Sequence, residues 1–164
     1  MIKIIANPEK DVDHTLDQFP EEDFLDFKTK RGDLEFSVKN YRYQNTVNPD
    51  QPKAVLYFLH GFGSWTGKYG YYAKHLAEAG YDVVGFDLPG FGKTKTTTPG
   101  HLFTFDELMG DAEAFLDLIQ DHYGAGVTFG LIGYSLGGGM SFTLMIRHPG
   151  LFKVFLGLAP YAGF

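Results

Sequence analysis

The chain has 164 residues, no cysteine and a formal net charge of −6. That length suffices for one domain with its own core. The missing cysteine excludes disulfides, thiolate metal sites and a cysteine nucleophile, and the acidic balance argues against nucleic acid as a partner.

Met1–Ala6, apolar apart from Lys3, is a run cut short by the acidic charges that begin at Glu9, too short for a signal peptide, and no stretch approaches bilayer length. The expected location is the cytoplasm, with peripheral membrane association left open. Residues 1–22 form an acidic leader in which Asp11, Asp13, Asp17, Glu21 and Glu22 face little positive charge. The Asp spacing of a calcium loop is absent, so the leader is expected to be a solvated arm without metal. Phe24–Thr29 and Leu34–Tyr41 alternate apolar with polar around Arg31-Gly32-Asp33, which predicts a β-hairpin at a sheet edge. Thr46–Pro52 is a polar loop.

Ala54–Leu59 is continuously apolar, as a strand covered on both faces requires. It runs into His60-Gly61-Phe62-Gly63. From Lys68 the spacing turns helical through Tyr72, Ala73, Leu76 and Ala77, and Gly80 stops the helix. Tyr81–Phe86 is the next strand, followed by the turn Asp87-Leu88-Pro89-Gly90-Phe91-Gly92 and an exposed Thr/Lys-rich loop to Gly100. Thr104-Phe105-Asp106-Glu107 is a capping box that opens a helix carrying Leu108, Ala112, Phe115, Leu116 and Ile119 on one face to about His122. Arg147 and His148 suit the C-terminus of the following helix, which Pro149-Gly150 end. Lys153–Ala159 is a last apolar strand, open to self-association if it lies unpaired at an edge.

Between those two helices lies the stretch that carries chemistry. A β-branched and apolar run, Val127–Ile132, feeds Gly133-Tyr134-Ser135-Leu136-Gly137, and a helix follows. Strand, sharp turn and helix are the context in which Gly-x-Ser-x-Gly becomes a nucleophile elbow. A serine at that junction sits on a strained backbone, so its neighbours two residues away must lack bulk, as Gly133 and Gly137 do. Gly138 and Gly139 are expected to let the helix N-terminus press close to the sheet. Ser135 is the candidate nucleophile. The Leu136 amide and, between two bendable glycines, the Phe62 amide are the candidate oxyanion donors, each worth about 3 kcal/mol in the transition state. His60, Gly61 and Gly63 are assigned structural roles around the site. His14, His75, His101, His122 and His148 have no spacing that argues for reaching Ser135. A nucleotide-binding loop at Gly90-Phe91-Gly92-Lys93-Thr94 fails because Asp87 stands where its first glycine belongs.

From residue 54 onward strands alternate with helices, which predicts an α/β fold: a mostly parallel sheet with helices on both faces and the N-terminal hairpin at its edge. The motifs at His60–Gly63, Asp87–Thr94 and Gly133–Gly138 stand in the order and spacing of the α/β-hydrolase fold. Over residues 23–164 the chain resembles its monoacylglycerol lipase and lysophospholipase branch (the serine aminopeptidase S33 type), through Ser64–Leu76 and Arg147–Phe152 as well. The resemblance implies a cofactor-free serine hydrolase of carboxylic esters, acylglycerol or lysophospholipid-like, acting through an acyl-enzyme on Ser135, with Asp87 a structural turn residue. It also implies a triad acid after a seventh strand and a histidine after an eighth. Six strands are predicted here, so lid, acid and base are expected beyond Phe164. The alternative is a non-catalytic fragment or a pseudo-enzyme binding module of the same ancestry.

Overall fold

The computed structural model describes residues 23–31, 34–94 and 103–161. The acidic leader, the Gly32-Asp33 turn, His101 and most of the Thr/Lys-rich loop lie outside them. The strands are β1 (Lys28–Arg31), β2 (Leu34–Ser37), β3 (Asn40–Tyr43), β4 (Val55–Leu59), β5 (Asp82–Phe86), β6 (Phe129–Tyr134) and β7 (Phe152–Leu158). The helices are α1 (Gly70–Glu78), α2 (Phe105–Tyr123) and α3 (Leu136–Arg147), with a 3-10 turn over Thr66–Tyr69 ahead of α1.

A five-stranded sheet runs in the order β3-β5-β4-β6-β7. Its last four strands are mutually parallel, and β3 pairs antiparallel with β5. β4 and β5 are buried along their whole length, as their continuous apolar sequences require. Alternation divides their side chains between two cores. Tyr57, Leu59, Val84, Phe86 and Leu131 meet Phe115, Leu116, Ile119, Met140 and Leu144 of α2 and α3. Leu56, Phe58, Val83 and Ile132 meet Ala73 of α1 on the opposite face. Burying one such side chain contributes about 1.5–3 kcal/mol.

The ends of the helices follow their predicted chemistry. In α1, Gly80 (φ 94) lets its own N–H reach the Ala77 carbonyl (2.9 Å) and the Tyr81 N–H reach the Leu76 carbonyl (3.0 Å), the paired bonds of a Schellman stop. At α2 the capping box forms in both directions: the Glu107 N–H donates to Thr104 Oγ1 (3.2 Å) and the Thr104 N–H to Glu107 Oε2 (2.8 Å).

The hairpin departs from expectation in its placement. Among the described residues β1 and β2 pair only with each other, and Phe27 just ahead of them packs on Phe86 and Phe115. The edge of the main sheet is β3, which sequence alternation had joined to β2. The break falls at Val38-Lys39, where four consecutive residues from Val38 to Tyr41 are buried, a pattern that no half-exposed strand can show. Asn40 causes it: its side chain accepts from the Leu25 N–H (2.8 Å) and donates to the carbonyls of Leu25 (2.8 Å) and Val38 (3.0 Å). Seven strands therefore stand among the described residues where six were expected.

At the start of β5, buried Asp82 gathers Arg42 (2.8 Å), the Asn45 N–H (2.8 Å) and the Tyr123 hydroxyl (2.6 Å). Burial pushes its carboxyl up, but these hydrogen bonds outweigh that effect and hold it below the ordinary value.

Candidate active site

β6 is buried up to Gly133 and emerges at Tyr134. Ser135 then turns the chain into α3 with φ 52 and ψ −116, a left-handed conformation that costs a non-glycine residue about 1–3 kcal/mol. Four hydrogen bonds hold it there. The Ser135 N–H donates to the Leu158 carbonyl (2.9 Å), and the Ser135 carbonyl accepts from Gly138 (2.9 Å), Gly139 (3.2 Å) and Tyr161 (2.8 Å). The flanking glycines are obligatory. A Cβ on Gly133 would lie 2.4 Å from the Gly137 carbonyl oxygen, and one on Gly137 would lie 2.1 Å from that of Leu59. Gly138 does press close to the sheet, since an added Cβ there would lie 3.3 Å from the Gly133 carbonyl oxygen, and Gly138 and Gly139 also serve a second purpose. Added Cβ atoms there would strike Pro160 (2.8 Å) and the Tyr161 carbonyl (2.5 Å), so these two make room for the segment that follows β7. That brace escaped the sequence analysis because its partners are some 25 residues apart in the chain, with only the Gly-Gly pair as a signal.

The loop after β4 lies directly against this turn: a Cβ on Gly61 would be 3.1 Å from Ser135 Cβ. Phe62, next along, is 65% exposed and stacks edge to face on Phe91 with ring centroids 5.2 Å apart. Gly63 takes φ 72. Leu136, as the first residue of α3, has an N–H with no acceptor inside its own helix. The structure thus brings Ser135, Leu136, Gly61 and Phe62 to one corner at the C-terminal edge of the sheet.

His60 is fully buried behind that loop. Its Nε2 accepts from the Leu88 N–H (2.9 Å), so the proton resides on Nδ1, which donates to the Gly61 carbonyl (2.8 Å). Burial pushes the imidazole below its ordinary pKa, against the opposing pull of the Gly61 carbonyl and Asp87. Neutral His60 is therefore a strut between the loops. Asp87, also fully buried, takes the other end: Oδ1 accepts from the Thr66 N–H (2.8 Å), and Oδ2 from the Tyr41 hydroxyl (2.8 Å) and the Lys93 N–H (2.8 Å). Burial and the adjacent Asp87 carboxylate raise the Tyr41 phenol far above its ordinary range, so it remains a donor.

The other described histidines are engaged elsewhere. His75 meets Glu78 (3.2 Å) on α1, His122 stacks on Phe24 (4.7 Å), and His148 lies 3.7 Å from Glu113. Among the described residues, none is hydrogen-bonded to the Ser135 hydroxyl. No group of three or more His, Asp or Glu that could hold a metal occurs among them either, and no described helix is long and apolar enough to cross a membrane.

A family model described as serine aminopeptidase, S33, matches residues 50–163, a span that contains the turn at Ser135, the His60–Gly63 loop and the Asp87 turn. The chain belongs to this S33 family. Phospholipase YtpA of Bacillus subtilis (strain 168) is 33% identical over 93 residues, covering 57% of this chain and 34% of the relative. Epoxide hydrolase B of Mycobacterium tuberculosis (strain ATCC 25618 / H37Rv) is 31% identical over 116 residues, covering 70% and 31%. Among solved structures, a soluble variant of monoglyceride lipase from Saccharomyces cerevisiae superposes with a TM-score of 0.67 at 19% identity, over 83% of this chain and 44% of that one. The architecture of this S33 member is thus the α/β-hydrolase fold, and the chain spans about a third of the length of the curated relatives it matches.

Proposed function

We propose that this chain carries the nucleophile and oxyanion donors of a serine hydrolase of carboxylic esters, acylglycerol or lysophospholipid-like, and forms its acyl-enzyme on Ser135. The observation that carries the reading is the Ser135 backbone, kept at φ 52 between a buried strand and a helix that glycines hold against it. A strained conformation is retained where the surroundings over-determine it, and such residues cluster at active sites. In the reaction Ser135 Oγ bonds to the ester carbonyl carbon while its proton passes to a base. The carbonyl oxygen takes the negative charge opposite the Phe62 and Leu136 amides, and the alkoxide leaves with that proton. Water then releases the acid by the same steps. His60 cannot be the base without giving up the Leu88 N–H, so the proton acceptor comes from outside the described residues. The apolar pair Phe62 and Phe91 beside the serine suits an acyl or aryl group better than a charged one.

A second reading, a binding module without turnover, is favoured by the engagement of every described histidine away from Ser135. A serine lacking its base is a weak nucleophile. Treating the wild type and Ser135→Ala with a fluorophosphonate probe separates the two: the hydrolase reading expects labelling that the substitution abolishes, and equal signals from both proteins contradict it.

A further inference from the structure

The Phe62 N–H belongs to the same peptide unit as the Gly61 carbonyl, and in a trans peptide the two point in opposite directions. Whatever holds the Gly61 oxygen therefore aims the Phe62 amide. Two donors hold it, the His60 Nδ1–H (2.8 Å) and the Ser64 N–H (3.2 Å). Each is secured in turn by the segment that ends β5 and follows it. His60 is tied through Nε2 to the Leu88 N–H (2.9 Å). Two residues beyond Ser64, the Thr66 N–H donates to Asp87 Oδ1 (2.8 Å) and the Thr66 hydroxyl to the Phe86 carbonyl (2.7 Å). The aim of the amide thus depends on how firmly Asp87 itself is placed.

Asp87 Oδ2 accepts from the Lys93 N–H and the Tyr41 hydroxyl, both at 2.8 Å. The two donors differ in rigidity. Lys93 stands in a turn. Tyr41 stands in β3, opposite Gly85 of β5, only 2% exposed, with the Lys39 ammonium 5.1 Å from its ring centroid. The Lys39 backbone grips the same turn at both ends: its carbonyl accepts from the Asp87 N–H (2.8 Å), and its N–H donates to Thr94 Oγ1 (2.9 Å). A carboxyl group turns about a soft torsion unless both of its oxygens are held, and the phenol supplies that hold from the sheet. Resting on the hydrolase reading of Ser135, we infer that Tyr41 is a positioning residue for the oxyanion-binding amide of Phe62, acting through Asp87. A hydroxyl that merely satisfied a buried carboxyl would matter to stability and not to the reaction.

Tyr41→Phe removes the hydroxyl and keeps the ring. Tyr57→Phe is its control: that phenol is as deeply buried, but it donates to the Ala112 carbonyl of α2 (3.1 Å). Both variants and the wild type are treated with a fluorophosphonate over a range of concentrations, which separates binding from bond formation. Oxyanion donors act on charge that develops only in the transition state. Tyr41→Phe is therefore expected to lower the maximal rate of Ser135 phosphonylation about tenfold, less than the loss of a whole donor, at an unchanged half-saturating concentration. Tyr57→Phe should keep the wild-type rate. Trp65, the chain's one tryptophan, reports on the loop without any reaction. It precedes Thr66, and a Cβ on Gly92 would lie 2.6 Å from its own, so acrylamide should quench it more readily in Tyr41→Phe alone. A wild-type rate or unchanged quenching in Tyr41→Phe, an equal loss in Tyr57→Phe, a loss confined to the half-saturating concentration, or a Tyr41→Phe protein without a melting transition overturns the inference. A wild type that does not label at Ser135 contradicts the hydrolase reading itself, and takes this inference with it.

Discussion

The strain at Ser135 and the space around it are separable by single substitutions. Ser135→Gly removes the Cβ that makes φ 52 costly and leaves the backbone hydrogen bonds in place. It should raise the free energy of unfolding in urea by about 1 kcal/mol, and an unchanged or lower value would mean that the turn is not strained. Stability gained at the expense of a reactive group is the usual trade at such sites. His60 gives a pH signature. Its folded pKa lies below the unfolded value of about 6.5, so the unfolded chain binds the extra proton first. The stability His60 contributes is whole above that pH and is lost as pH falls from about 6.5 through the folded pKa. Thermal melts between pH 7.5 and 5 should show this decline in the wild type and a shallower one in His60→Gln; parallel profiles would contradict the buried neutral strut.

Between elements, the turn after β5 positions the loop after β4. Leu88 holds His60, Asp87 holds Thr66 and Lys93, and Phe91 leans on Phe62. Asp87→Ala would leave the Thr66 and Lys93 amides without their acceptor, at about 1–3 kcal/mol each where water cannot replace it. Chemical denaturation should therefore show a loss of roughly 2–6 kcal/mol, and a loss below 1 kcal/mol would mean that these bonds do not organise the loop. What the sequence discloses at this scale follows the range of the interaction. The capping box at Thr104, the stop at Gly80 and the glycines around Ser135 obey rules written over a few residues and were legible. The ties from Asp87 to Tyr41 and Thr66 span 46 and 21 residues, and no local pattern announces them. β3 was hidden for a related reason: Leu34–Tyr41 alternates well enough for one strand, and only the long-range demands of buried Asn40 divide it.

For the whole molecule, strand–helix alternation sufficed to give the parallel sheet, its two-sided cover and the corner at the C-terminal edge where Ser135 stands. The strand order β3-β5-β4-β6-β7 and the brace of Pro160 and Tyr161 on the elbow are products of tertiary packing and were not. The central claim is that this architecture holds a serine hydroxyl outward with two amides poised around an oxygen bound to it. A crystal structure of the chain after reaction with a fluorophosphonate tests it most directly. The account predicts phosphorus bonded to Ser135 Oγ, with the phosphoryl oxygen within hydrogen-bond distance, about 2.7–3.1 Å, of the Phe62 and Leu136 nitrogens. An adduct on another residue, or a phosphoryl oxygen turned to solvent with those amides directed elsewhere, would contradict it.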